Sequence, residues 1–130
     1  MSEGAKDPRR FGEPVPSELR LRPQGKALGV SYDDGQRYEM SAEYLRVHSP
    51  SAEVRGHGGP GQERWPVDKQ QVRIERIDPV GNYAVRLVFN DGHDSGLYSW
   101  KVLHELGRDQ EQNWARYLAH VDGLGRNDER

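Results

Sequence analysis

Apolar and polar residues alternate in two separate stretches of the chain, and a helical spacing follows each stretch. The first stretch carries Leu19 and Leu21, then Leu28, Val30 and Tyr32; the second carries Val72 and Ile74, then Val85, Leu87 and Phe89. A period of two turns one face of a strand toward a core and the other toward water. Turn signals separate the strands. Gly25 and Gly81 each stand two residues after a proline, and Asp34-Gly35 and Asp91-Gly92 have the chemistry of tight hairpins. Each stretch therefore predicts a three-stranded meander. Ser41 can cap a short helix carrying Ala42, Tyr44 and Leu45, and Ser99 another carrying Trp100, Val102, Leu103 and Leu106, with Gly107 placed to end it. Asp109 and Gln112 have the spacing of a capping box for a last helix, with Trp114, Tyr117, Leu118 and Val121 on its apolar face.

The two stretches match residue for residue. Leu21, Pro23 and Gly25 recur 56 positions later as Ile77, Pro79 and Gly81; Val30, Tyr32, Asp34, Gly35 and Met40 recur 57 positions later as Leu87, Phe89, Asp91, Gly92 and Leu97. Duplication explains this pattern, although recurrent turn chemistry can imitate it. Neither copy can bury a core alone, so the two must pack together. The expected fold is α+β: two β-meander-plus-helix units forming one small domain over residues 18–122, with a C-terminal helix. Residues 1–17 and 123–130, rich in Pro, Gly and charge, are expected to be a disordered arm and a flexible tail.

Composition narrows the function. The chain has 130 residues, 33% of them hydrophobic and 31% charged, a lean supply for one modest core. Its 19 basic and 21 acidic residues give a net charge of -2, without the basic excess typical of nucleic-acid binders. It has no cysteine, which excludes disulfides, thiolate metal sites and cysteine nucleophiles. No run of about 18 apolar residues is present to span a membrane, and the N-terminus lacks a secretory signal's apolar core. A soluble, cytoplasmic protein is expected.

The stretches EYLRVHSPSAEVRGH, residues 43–57, and FNDGHDSGLYSW, residues 89–100, resemble the DUF971 family, also called the γ-butyrobetaine-hydroxylase-like N-terminal domain. The resemblance runs from about Glu18 to Leu106. In the eukaryotic hydroxylases that domain precedes an iron- and 2-oxoglutarate-dependent catalytic domain and carries a zinc held by three Cys and one His. Aligned on the shared motif, the Cys positions fall at Ser49, Ser51 and Val54 and the His position at His93. Three of the four ligands are missing, so the resemblance does not bring the zinc with it. The resembling region ends near residue 106, so no oxygenase domain is expected here, and His120-Val121-Asp122, with no His after it, does not read as an iron facial triad. Stand-alone bacterial members look like this chain. A related domain is joined in some lineages to iron–sulfur carrier ATPases, which implies a link to iron–sulfur metabolism.

Residues 48–67, HSPSAEVRGHGGPGQERWPV, separate the two copies. So long a connection inside a small domain is usually functional or mobile. Arg and Trp are typical interface anchors, so Arg46, His48, Arg55, His57, Arg64 and Trp65 are the candidate partner-binding residues. Trp65 serves equally as a plug for the core, and Trp100 and Trp114, at helical spacing, are expected in the core. His48, His57 and His93 are the alternative, a set of imidazoles that could hold Zn or Fe, although a lone turn histidine at His93 is the simpler reading. The glycines of the long segment lack the Lys-Ser/Thr of a phosphate loop. His93-Asp94-Ser95 are strand neighbours pointing to opposite faces, not a triad. The expected function is a non-catalytic accessory module that binds another protein, with no cofactor.

Overall fold

The computed structural model describes residues 14–50 and 68–128. Two three-stranded antiparallel sheets form the frame, each a meander followed by a helix. The first unit contains β1 (Glu18–Leu21), β2 (Ala27–Ser31), β3 (Arg37–Ser41) and α1 (Ala42–Val47). The second contains β4 (Ile74–Val80), β5 (Ala84–Phe89), β6 (Leu97–Ser99) and α2 (Trp100–Arg108), and α3 (Gln110–Asp128) closes the chain. The α+β architecture, the duplicated plan and the C-terminal helix are as the sequence predicts.

Local chemistry repeats with the plan. Ser41 and Ser99 cap the two helices, their hydroxyls accepting from the Tyr44 and Val102 N–H. The first helical N–H of each unit, Ala42 and Trp100, donates to the carbonyl just ahead of the central strand, Lys26 and Tyr83. In the hairpins, Tyr32 N–H donates to Gln36 and Phe89 N–H to His93, while Asp34 and Asp91 accept from the amides two residues on. The two hairpins are the same turn.

The pairing corrects the sequence alignment at two places. Leu19 lies opposite Val30, and Ile77 lies opposite Leu87, so Ile77 takes the place of Leu19 and not of Leu21. The Pro-x-Gly match misleads because the first connection, residues 22–26, is longer than the second, residues 81–83. Tyr98, not Leu97, is the counterpart of Met40: each pairs with the equivalent core residue, Val85 and Leu28. Tyr98 is fully buried and Leu97 is 45% exposed, because the second hairpin is one residue longer. Gly107 does not end α2. It lies buried inside the helix, where a Cβ would enter the Tyr38 ring, and so lets α2 pack close to β3. The Asp109 carboxylate pairs with Arg108, and α3 continues to Asp128, six residues into the expected tail.

One core joins the units: Leu28, Val30, Met40 and Leu45 from the first, Val85, Leu87, Phe89, Tyr98 and Leu103 from the second. Trp100 and Trp114 are half-buried against it, the Trp100 indole donating to the Asn82 carbonyl. Gly25 is a fixed point of this packing. Its φ is +68°, and a Cβ would run into the backbone of Ile74, so the first turn of one unit is pressed onto the first strand of the other. Leu118, expected on the apolar face of α3, is 48% exposed.

Candidate functional site

Each hairpin turn grips the helix of the opposite unit. Around the first turn, Gln36 Nε2 donates to Asp34 at 2.7 Å and its side-chain oxygen Oε1 accepts from Tyr38 Oη at 2.7 Å and lies 3.0 Å from His104 Nε2 on α2. With both Gln36 donors and acceptors so arranged, Nε2 of His104 carries the proton. The Tyr32, Tyr38 and His104 rings meet edge to face. This junction is a hydrogen-bonded relay that ends on the Asp34 carboxylate.

The equivalent junction at the second turn is ionic. Arg46 on α1 occupies the position of His104, 58 residues earlier, and Asp91 that of Asp34. Arg46 Nε and Lys69 Nζ each reach Asp91 Oδ2 at 2.8 Å, while the His93 N–H donates to Oδ1 at 3.1 Å. Although the Asp91 backbone is at the surface, its side chain is only 18% exposed, and that of Arg46 only 11%. Burial alone pushes the Asp91 carboxyl up, but hydrogen bonds from Lys69, the His93 amide and Arg46 outweigh it and hold the pKa at about 2. Arg46 Nη1 is buried without a hydrogen-bond partner.

Beside this cluster, Ser49 Oγ and His93 Nε2 are 2.9 Å apart. Gly96 makes that contact possible, since any Cβ there would strike the Ser49 hydroxyl. The same bargain is struck with the sizes reversed at the first junction, where Tyr38 replaces Gly96 and Gly107 replaces Ser49. Bulk on the strand meets glycine on the helix in one unit; glycine just ahead of the strand meets a serine just past the helix in the other.

Among the sequence-derived candidates, Arg46 and His93 are brought together around Asp91. His48 is buried and turned elsewhere: its Nδ1 lies 2.9 Å from the Tyr44 carbonyl, and its ring lies against the Tyr44 ring, centroids 4.6 Å apart. Arg55, His57, Arg64 and Trp65 lie outside the described residues, as do Ser51 and Val54. Among the described residues no three His, Asp or Glu side chains are grouped to hold a metal ion. Ser49 and His93, two positions that the resemblance assigns to one ligand set, are neighbours here. Their donors are a hydroxyl and an imidazole engaged with each other, and with Ser51 and Val54 completing the set, these residues do not fit a three-thiolate zinc centre. Sequence reasoning missed Asp91 and Lys69 as partners of Arg46. The signal was available in the repeat, which places Arg46 and His104 at one helix position and Asp91 and Asp34 at one turn position.

Comparison with known proteins places this geometry. Residues 19–104 match the family model described as gamma-butyrobetaine hydroxylase-like, N-terminal. Two proteins solved in solution by NMR are similar along most of their length. One is 44% identical with a TM-score of 0.74, covering 88% of this chain and 89% of that one. The other is 48% identical with a TM-score of 0.68, covering 86% and 83%. A crystal structure from Acidithiobacillus ferrooxidans, described as a protein with unknown function of the DUF971 family, is 32% identical with a TM-score of 0.58 and covers 71% of this chain and 91% of its own. No curated protein matches the chain. Among the described residues, no helix is long and apolar enough to cross a membrane.

Proposed function

The chain belongs to the γ-butyrobetaine-hydroxylase-like N-terminal (DUF971) family, and from that premise we propose that it is a non-catalytic, cytoplasmic accessory module that binds another protein through residues 46–65. One observation carries the reading: Arg46 and Lys69, on either side of residues 51–67, both close on Asp91 at 2.8 Å. The feet of the connecting segment are tied to one carboxylate at the unit junction. A fixed base lowers the ordering cost that a partner must overcome on binding. Arg55, His57, Arg64 and Trp65 are then the contact residues, with Arg and Trp as anchors. Arg46 and His48, held inward by Asp91 and the Tyr44 carbonyl, position that segment.

The family's association with iron–sulfur carrier ATPases makes such an ATPase the partner to test first. A metal centre on His48, His57 and His93 draws less support, because His48 and His93 face different neighbours, Tyr44 and Ser49. Native protein and a variant lacking Arg55–Gly61 serve as baits in cell extract, followed by titration of each against the purified ATPase. The native chain should retain the ATPase, and the deletion should lose it while keeping its melting temperature. Equal recovery by both baits rules the segment out as the contact.

A further inference from the structure

Between the first sheet and the start of α3 lies a cleft of about 630 Å³. Ala27 and Ser41 form its floor, Tyr44 and Trp114 its aromatic wall, and Glu39 and Glu111 its exposed rim. The wall is fixed in place. Tyr44 is buried, and its hydroxyl donates to the Leu106 carbonyl at 2.6 Å and accepts from Asn113 Nδ2 at 3.1 Å. The half-buried Trp114 ring meets both the Tyr44 ring, centroids 6.2 Å apart, and the Tyr117 ring, 5.1 Å away. The second unit seals the matching place. Ala27 and Ala84 each pair with the serine that caps the following helix, yet Ala84 is buried and Ala27 is half-buried.

The charged side chains that line the cleft are both carboxylates. Arg22 does not line it; that guanidinium reaches Glu39 from the outer face of the sheet and engages Oε1, at 3.0 and 2.9 Å. Glu39 Oε2 and the Glu111 carboxylate remain as acceptors beside the indole. Along α3 the exposed Leu118 follows Trp114 by one turn, about 6 Å up the helix axis. Alternate residues of an extended chain point the same way at a similar spacing, about 7 Å.

We infer that the cleft receives an arginine from an extended segment of a partner protein, with an aliphatic residue two positions away resting on Leu118. A planar guanidinium stacks on an indole and offers a fork of donors to carboxylates, which suits arginine to this combination of Trp114, Glu39 and Glu111. None of residues 46–65 lines the cleft. This surface is therefore separate from the contact segment proposed above, and its test needs no partner of that segment.

The full chain is titrated with the peptide acetyl-Leu-Ser-Arg-Ser-Leu-amide and followed by NMR at the Trp114 indole N–H and the Ala27 and Glu111 amides. Saturable shifts centred on the cleft are expected. Citrulline in place of the peptide's arginine keeps the shape without the charge and should weaken binding by about tenfold or more. Glu111→Gln and Leu118→Ser, both at exposed positions, should each weaken it several-fold while leaving the melting temperature near native. A citrulline peptide as tight as the arginine peptide would overturn the inference, and so would native affinity in Glu111→Gln. Three other outcomes would replace the partner segment. Arginine amide binding as tightly as the peptide would make this a site for a free cation. Shifts at the same groups that grow with protein concentration, without peptide, would seat a second copy there. Much tighter peptide binding by an Arg9→Ser, Arg10→Ser double variant would seat the chain's own arginines there.

Discussion

Replacing Tyr32 with phenylalanine deletes one oxygen, and the protein should become more stable for it. Tyr32 is 7% exposed, and its hydroxyl is buried with no hydrogen-bond partner. Burial, with Tyr38 and Asp34 adding to it, pushes the phenol up to about 12, as expected where charge and polarity are poorly solvated. The second unit contains the control. Phe89, equivalent to Tyr32 and 1% exposed, fills the same place without a hydroxyl. The ring is what the fold uses, through its edge contacts with Tyr38 and His104, and those survive the substitution.

The magnitude follows from the unmet hydrogen bond. A buried hydroxyl without a partner costs about 1–3 kcal/mol, and removing it leaves a gap smaller than a methyl group. We expect Tyr32→Phe to gain about 1 kcal/mol, or roughly 3–5 °C in melting temperature for a domain of this size. Urea denaturation at neutral pH is the assay, and an unchanged slope shows that the unfolded state is not the cause. Phe89→Tyr, which puts a hydroxyl into the sealed counterpart, should lose about 1–3 kcal/mol. A Tyr32→Phe protein less stable by about 0.5 kcal/mol or more, at constant slope, would refute the reasoning, since the oxygen would then have to be satisfied in the folded state.

Two further outcomes test the frame and the ionic junction. Gly25→Ala combines a left-handed backbone at φ +68° with a Cβ driven into the Ile74 backbone, and should cost about 2–4 kcal/mol in a denaturation experiment; a loss under about 1 kcal/mol would mean that the two units are not pressed together there. Asp91, depressed in the folded state to about 2 from 3.8, contributes stability that is complete above about pH 5 and is lost as pH falls through 4 toward 2. The full shift corresponds to about 2.4 kcal/mol, which screening at this partly exposed carboxylate reduces to about 1–2 kcal/mol. Asp91→Asn should therefore flatten the acid limb of the stability profile, and an acid limb identical to native would assign that loss to other carboxylates.

The parts of the fold that were legible in the sequence are those fixed by local chemistry. Asp34-Gly35, Asp91-Gly92, Ser41 and Ser99 act within two or three residues, so the hairpins and helix starts lie where the sequence places them. Register is not local. Pro23-x-Gly25 and Pro79-x-Gly81 look alike as turns, yet the connections differ in length and slide the pairing by two residues. Gly107 reads as a helix stop because glycine is common there; the Tyr38 ring, 69 residues away in the chain, is what makes glycine necessary inside the helix. The candidate site was half legible for the same reason. Arg46 and His93 were visible as residue types, but Arg46–Asp91, 45 residues apart, leaves no period in the chain. Only the copy-to-copy equivalence with His104 and Asp34 points to it.

That equivalence also says which junction is structural and which is free to do something else. Both hold a turn of one unit against the helix of the other, at matched positions. The first does so with His104, Gln36 and Tyr38, whose hydrogen bonds close on one another at a partly exposed turn and demand little desolvation. The second does so with an Arg–Asp–Lys cluster, for which desolvation of each ion offsets much of the attraction. If holding the units together were its only task, the cheaper arrangement was available in the same molecule. Among the described residues, the ionic junction instead brings two cations to one carboxylate, leaves a guanidinium nitrogen buried without a hydrogen bond, and keeps a glycine where its counterpart has a tyrosine ring. Those three departures from the sealed copy coincide at the two feet of residues 51–67, and that coincidence makes the second junction the one to probe for a ligand or a partner.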